Sequence, residues 1–255
     1  MRNVWIICRK ELGSYFASPV AYILLIMFGL IFGFFFWNAL GAFVFESIQS
    51  QMSGRSFPMN VNEWIIRPLL SNLTVINLFF IPLITMRLFA EEKRNGTIEL
   101  LATSPIRDIE VIIGKWLASV VLYGCLLLFT ALDFAFLFKY GSPDWKPLLV
   151  GYLGVFLLAG SLLALGTFVS SLTKNQIIAG AVTFAICLLL YVFGWVSGYE
   201  TASWAKVFSY ISVATHMESF EKGVLDSKDA IYFLTLIFLG LFFSARSLES
   251  LRWRS

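Results

Sequence analysis

The chain has 255 residues, of which 58% are hydrophobic and 14% charged, with 26 Phe and a formal net charge of +3. Soluble domains lie near about 45–50% apolar with about a quarter of their residues charged, so this composition is that of a membrane protein. The small, dispersed positive balance offers no basic patch for nucleic acid, and the long apolar runs lack the polar alternation of a water-filled β-barrel.

The first stretch, MRNVWIICRKELGSYFASPV, places Arg9, Lys10 and Glu11 where a secretory signal would keep an apolar core, so it is not expected to be a cleaved leader. Residues 2–17 are predicted to form an amphipathic elbow helix. Val4, Trp5, Cys8, Leu12, Tyr15 and Phe16 fall on one arc of the wheel, and Arg2, Asn3, Arg9, Lys10 and Ser14 lie opposite. That pattern suits a helix lying in the membrane interface, with Ser18–Pro19 as the break before the first span.

About 20 apolar residues are needed to cross a hydrocarbon core roughly 30 Å thick. Six segments qualify, near 20–40, 72–90, 116–138, 148–170, 177–197 and 230–246, and together they make residues 1–255 a single transmembrane domain. Only helices satisfy every backbone polar group in that setting, so the fold class is all-α integral membrane. Twelve of the 19 Lys and Arg flank one side of the six spans, including Arg2, Arg9, Lys10, Lys93, Arg94, Lys115 and Arg252. The positive-inside rule then puts both termini and the loop over 91–115 in the cytoplasm.

Two external loops are long, 41–71 and 198–229. In the second, Trp204, Val207, Phe208 and Ile211 recur at helical spacing, which predicts one or two short external helices before the last span. Pro143 and Pro147 mark a tight external turn over 142–147. Gly29 with Gly33, and Gly194 with Gly198, are spaced for close helix approach. Cys8, Cys125 and Cys187 lack paired spacing and read as small hydrophobes rather than a disulfide framework. Asp133 is the one acid well inside a span, a candidate for the transport path or for helix pairing, with an interfacial placement as the alternative. The single histidine, His216, has Glu218 and Glu221 near it in sequence and reads as a surface or packed polar residue.

The segment RLFAEEKRNGTIELLATSPIRDIEVIIGK, residues 87–115, is charged and twice broken. Phe89 to Arg94 extends the second span and Asn95–Gly96 stops it; Arg87 and Glu91, one turn apart, are placed to pair. A short helix is predicted over 97–103. Ser104 then caps the next helix with Pro105 at its first position and Asp108 in its first turn. On the residues alone this is either a knob for a cytosolic partner or a plain hairpin between spans.

The same segment closely resembles the signature of ABC-2-type permeases, E-x-x-x-G-T-x-E-x-L-x-x-x-P followed by G-K. Matched position by position, it assigns Glu92, Gly96, Thr97, Glu99, Leu101 and Pro105 to the ATPase-coupling region, with Ile98 at its tip and Gly114–Lys115 at its end. In that family the segment includes the coupling helix, which docks into a cleft of the ATP-binding subunit. The resemblance runs over essentially the whole chain. THMESFEKGVLDSKDAIYF, residues 215–233, further resembles the permease of gliding-motility (Gld-type) ABC transporters.

The resemblance implies a type V exporter-like fold and a permease subunit that couples ATP hydrolysis on a separate subunit to export or extracytoplasmic work. It implies two copies of a cytosolic ABC ATPase and a second permease chain as homo- or heterodimer partner. It also implies an auxiliary subunit with a large extracytoplasmic domain, surrounding lipids, and the bacterial inner membrane. ATP and Mg belong to the ATPase, and this chain is expected to bind no cofactor or metal and to catalyse nothing. The residues agree, since Gly114–Lys115 is followed by Trp116 rather than the Ser or Thr of a P-loop. A membrane-embedded enzyme is disfavoured by the lack of a catalytic cluster. The alternative is a secondary transporter or channel not driven by ATP, which would be expected to show broken spans in matched repeats.

Overall fold

Helices account for the regular structure in the computed structural model, which describes residues 2–53, 60–97, 106–141, 143–195 and 203–252. In chain order they are α1 (Arg2–Ala17), α2 (Pro19–Met52), a π-turn (Asn62–Ile66) running directly into α3 (Arg67–Thr85), α4 (Ala90–Asn95), α5 (Asp108–Tyr140), α6 (Trp145–Leu172), α7 (Gln176–Val192), α8 (Ser203–Ile211), α9 (Val213–Glu221) and α10 (Ser227–Arg252). Among the described residues, six helical units are long and apolar enough to cross a membrane: α2, the composite Asn62–Asn95, α5, α6, α7 with its 3-10 extension, and α10. Both ends of the described chain, α4 and the start of α5 lie at one end of the bundle, called here the terminal end. The α5–α6 turn, α8 and α9 lie at the far end.

The predicted spans are present, but their ends differ from the sequence expectation. The stretch over 41–52, expected as part of a long loop, continues α2 to Met52. Phe43, Val44, Phe45 and Ile48 keep the helix going, because a helix has no need to stop where the hydrocarbon does. At about 1.5 Å per residue its 34 residues extend well beyond a hydrocarbon core about 30 Å thick. The last span likewise runs longer than expected, over Ser227–Arg252. The helix after the charged loop starts later than expected, at Asp108. Arg107 is its cap, and the Arg107 N–H donates to Glu110 Oε2 at 3.3 Å. Pro105, expected at its first position, lies outside the described residues.

The N-terminal helix forms as predicted, with a shifted face. Ile7, Cys8 and Tyr15 are buried against the bundle, but Trp5 is 66% exposed. Asn3, expected on the polar side, turns inward and donates to Glu110 Oε2 at 3.1 Å. A helix packed on protein selects its inner arc by fit and pairing as well as by apolarity, so the inner arc holds Asn3 and Glu11 and leaves Trp5 out.

The spans pack through small residues, as expected where lipid gives no hydrophobic drive between helices. Those residues are not the predicted Gly29 and Gly33, since a Cβ on Gly33 would meet nothing within 4 Å. Four of the close crossings are at Gly151 against Leu70, Gly154 against Phe220, Gly166 against Thr85 and Gly240 against the Ala164 backbone. All four involve α6, which therefore forms the centre of the bundle. Gly194 does allow the close approach predicted for it, since a Cβ there would sit 2.8 Å from Ser212 Oγ and 3.0 Å from Ala214 Cβ, while Gly198, paired with it in the prediction, lies outside the described residues.

At the far end, Asn62 clamps the α5–α6 turn. Its Nδ2 donates to Asp144 O at 3.1 Å, and its Oδ1 accepts from Asp144 N–H at 3.1 Å. The one or two short helices predicted before the last span are present as two, α8 and α9. His216 on α9 is buried, with Nδ1 2.7 Å from Asp229 Oδ1 and Nε2 2.9 Å from the Tyr210 carbonyl oxygen, and its ring stacks on Tyr232 at 3.9 Å. The carbonyl can only accept, so Nε2 carries a proton, and Asp229 holds the other nitrogen. His216 is thus a packed polar residue, and its partner is Asp229 rather than either glutamate near it in sequence.

Burial, reinforced by the charge of Glu218, pushes the Glu221 carboxyl up to about 7 against the opposing pull of Arg67 and a Ser71 hydrogen bond. The folded chain therefore keeps a proton that the unfolded chain loses near its ordinary value of 4.5, and stability falls as pH rises from there through 7. Glu221→Gln should raise the thermal midpoint in detergent at pH 8 by about 2–4 °C, the shift of roughly 1 kcal/mol in a chain of this size. The advantage should vanish near pH 4.5. An unchanged midpoint at pH 8 would show that water reaches the carboxylate.

Candidate functional site

At the terminal end the second spanning unit is broken. After Thr85 the chain turns through Met86–Phe89 before α4 begins, and this strands backbone groups inside the protein. Each is caught. The N–H groups of Phe89 and Ala90 donate to Ser170 Oγ at 3.1 and 3.2 Å, and that hydroxyl donates to Met86 O at 3.3 Å. Lys93 Nζ donates to Ser171 O, which ties α4 to the end of α6. The remaining carbonyl, Leu88 O, accepts from Lys115 Nζ at 2.8 Å.

Lys115 is the centre of the site. It is 2% exposed, and its three ammonium protons face three acceptors: Leu88 O, Glu11 Oε1 at 2.9 Å and Glu92 Oε1 at 3.0 Å. The ring of Phe89 covers it at 5.1 Å. One buried cation thus joins α1, the broken unit and α5. The preceding residue makes this reach achievable. A Cβ on Gly114 would sit 2.9 Å from Ile7 Cβ and 3.0 Å from Val4 O, so only glycine lets α1 lie this close to α5. The Gly–Lys pair works as a unit, with the glycine seating α1 and the lysine holding it.

Around this centre, Arg87 Nε pairs with Glu91 Oε2 at 3.2 Å, as expected from their spacing, and its guanidinium lies 5.2 Å over the Tyr15 ring. Tyr15 OH donates to Ile84 O at 2.9 Å. Gly96 ends α4 with φ 72°, a left-handed turn that suits glycine and that the Asn–Gly pair foretold. Between α1 and α4 lies a cavity of about 420 Å³ bordered by Lys10, Glu11, Ser14, Glu91, Glu92 and Lys115 among others.

Of the residues assigned by sequence to the coupling region, Glu92 is in the ion cluster, Gly96 is the turn, and Thr97 Oγ1 donates to Glu92 O at 3.4 Å. Ile98, Glu99, Leu101 and Pro105, and with them the predicted helix over 97–103 beyond Thr97, lie outside the described residues. Asp133 does not join this site. It is half-buried, and among the described residues it makes no hydrogen bond or ion pair. It stands 18 residues further along α5, roughly 27 Å from Lys115. Sequence reasoning missed Glu11 and Ser170. Ser170 carries no sequence signal. Glu11 had one, as an acid one turn from both Ile7 and Tyr15 on what proves to be the inner face. Among the described residues, no group of three His, Cys, Asp or Glu is placed to hold a metal ion.

Six apolar spans, with polar ties confined mostly to the two ends of the bundle, define a multi-pass membrane protein. Residues 5–246 match the model for the ABC-2 family transporter protein, and the chain belongs to that family. The comparison with curated proteins gives no match. Family membership makes the chain a membrane component of a transporter and implies partnership with an ATP-binding subunit.

Lys115→Met should leave two buried carboxylates uncompensated and destabilise the protein by about 3–5 kcal/mol, as removal of one partner from a buried pair does. Adding Glu11→Gln and Glu92→Gln to that variant should restore most of the loss. Thermal unfolding in detergent checks both. A loss under about 1 kcal/mol for the single variant would mean the cluster is screened by water.

Proposed function

We propose that this chain is the permease subunit of an ABC-2 exporter of the gliding-motility type. A separate cytosolic ATPase, present in two copies with ATP and Mg, drives it, and a second permease chain completes the pathway. Both termini and the terminal end face the cytoplasm of a bacterial inner membrane, in keeping with the positive-inside count. An auxiliary subunit with an extracytoplasmic domain joins the far end. Asp133 serves the pathway or pairs with a neighbouring helix.

The observation that carries the reading is the tie between the two arms of the coupling segment. Glu92 lies on the arm entering residues 98–105, Lys115 on the helix leaving them, and the two are joined at 3.0 Å and anchored to α1 through Glu11. A segment held at both bases transmits a push to the spans; a loose one would absorb it. ATP-driven closure of the ATPases pushes on residues 96–105, and the bundles rock to alter the cavity between two permease chains.

Purification of the tagged chain from native membranes, with mass spectrometry and an ATPase assay, tests this. A cytosolic P-loop ATPase should copurify, and deletion of 97–103 or replacement of Glu99 should uncouple hydrolysis from transport while the membrane domain stays folded. A chain that purifies alone, or that transports normally after the deletion, would favour a transporter not driven by ATP.

A further inference from the structure

The face of α1 that its sequence offers to a membrane is largely taken by the bundle. Ile7, Cys8 and Tyr15 are buried against protein, and Glu11 turns in to meet Lys115 at 2.9 Å. The arc left outside holds Arg2, Trp5, Ile6, Arg9 and Gly13, all of them exposed. They recur at helical steps and form one stripe on the side opposite Glu11 and Tyr15. Its chemistry is mixed in a particular way. Trp5 and Ile6 are 66% and 57% exposed, large apolar groups that water does not favour. Arg2 and Arg9 form no ion pair among the described residues. The stripe has no acid of its own, because the one carboxylate side chain of α1 is the inward Glu11.

Placement shows what the stripe faces. α1 packs on the flanks of two spanning units, with Ile7 against Gly114 of α5 and the Tyr15 hydroxyl on Ile84 O of α3. Its outer arc therefore looks sideways from the bundle. Next to it α2 begins, and Tyr22 in the first turn is 53% exposed, its ring 6.1 Å from that of Phe16. Trp and Tyr concentrate where hydrocarbon gives way to headgroups, and Trp5 and Tyr22 mark that layer here. A helix lying there is held by its apolar residues and by attraction of its basic ones to anionic lipid.

We propose that the outer arc of α1 is a binding face for anionic phospholipid headgroups. Arg2 and Arg9 take the phosphates, and Trp5 and Ile6 settle among the upper acyl carbons beside them. The arginines stand two turns apart, roughly 10 Å along the helix, so each can hold a separate headgroup. A guanidinium suits this task because its planar fork meets phosphate oxygens two at a time. Charge selects the occupant. An unbalanced cationic arc complements an anionic lipid, whereas the same arc of a second copy would set arginine against arginine. Lipid then holds α1 from outside while Lys115 holds it from within. The inference needs only a membrane around the spans and stands apart from the permease reading.

The test places the complete chain in phosphatidylcholine vesicles containing phosphatidylglycerol, with a fluorescent amino acid in place of Gly13. That position is exposed, and a Cβ there would meet nothing within 4 Å. One lipid or the other carries a spin label high on an acyl chain, and quenching reads which of them lies against the arc. Phosphatidylglycerol should be preferred by about fivefold for each arginine, the scale of a basic residue at an anionic surface. Arg9→Gln should remove one such factor, and Arg2→Gln combined with Arg9→Gln should remove both. Lys139→Gln with Lys146→Gln takes the same charge from the far end and should leave the preference unchanged. Equal quenching by the two lipids would overturn the proposal, as would a loss in the far-end variant matching that of the arginine pair. Quenching by neither lipid would overturn it too, since water, a partner or a second copy would then cover the arc.

Discussion

The ammonium of Lys115 is the constraint on which the terminal end depends. A charge in an apolar bundle is tolerated only when its protons are all met, and removing one partner from such a group costs far more than the pair contributes. Here the acceptors come from three separate places: a helix 104 residues away, an acid beyond the break in the second spanning unit, and a carbonyl that the break itself exposes. None of these can move far without leaving a charge or a carbonyl unpaired inside the protein. The break at Met86–Phe89 would be a defect in any other setting. With Ser170 and Lys115 satisfying what it strands, it becomes a fixed corner.

Away from that corner the bundle is held by fit. Lipid tails solvate Leu and Phe as well as a neighbouring helix does, so association rests on close backbone approach and the dispersion it permits. Four glycine crossings involve α6, and one of them, Gly166 on Thr85, lies a few residues before the break. The two kinds of contact therefore meet at the same place: α6 packs on α3 through a glycine, then holds the turn and α4 after it through Ser170 and Ser171. Far-end closure is different in kind. It relies on single polar ties, Asn62 to Asp144 and His216 to Asp229, across short helices with exposed apolar faces such as that of Val207.

What could be read beforehand follows the range of each signal. Spans were legible because apolar runs are local and the bilayer sets their length. Gly96 was legible because a left-handed turn demands glycine next to the residues that precede it, and the Arg87–Glu91 pair because a helix repeats every turn. The end of α2 was misjudged because apolarity thins at the interface while helicity does not. Trp5 and Asn3 changed places for a reason no single helix contains: the inner arc of α1 is chosen by Glu110, Ile84 and Lys115. Likewise Glu11 gains its meaning only from Gly114–Lys115, and His216 from Asp229 across the α9–α10 turn. Long-range polar pairs have no period to reveal them.

The Gly–Lys pair that closes the family signature therefore has a physical account in this chain. In the proposed permease it is not at the tip that would meet a partner, and neither residue needs to touch one. Glycine removes the volume that would keep α1 from α5, and lysine converts that proximity into a bond with Glu11 while reaching Glu92 on the opposite arm. On the proposed mechanism, a push delivered to residues between those arms would not be lost in bending the loop at its roots, because the roots are joined. It would pass to α5, to α3 through the fixed corner, and to α1, which is tied to both through Lys115 and Ile84. In the proposed permease the motif is thus divided by task, with its first part shaped for contact and its last two residues for stiffness.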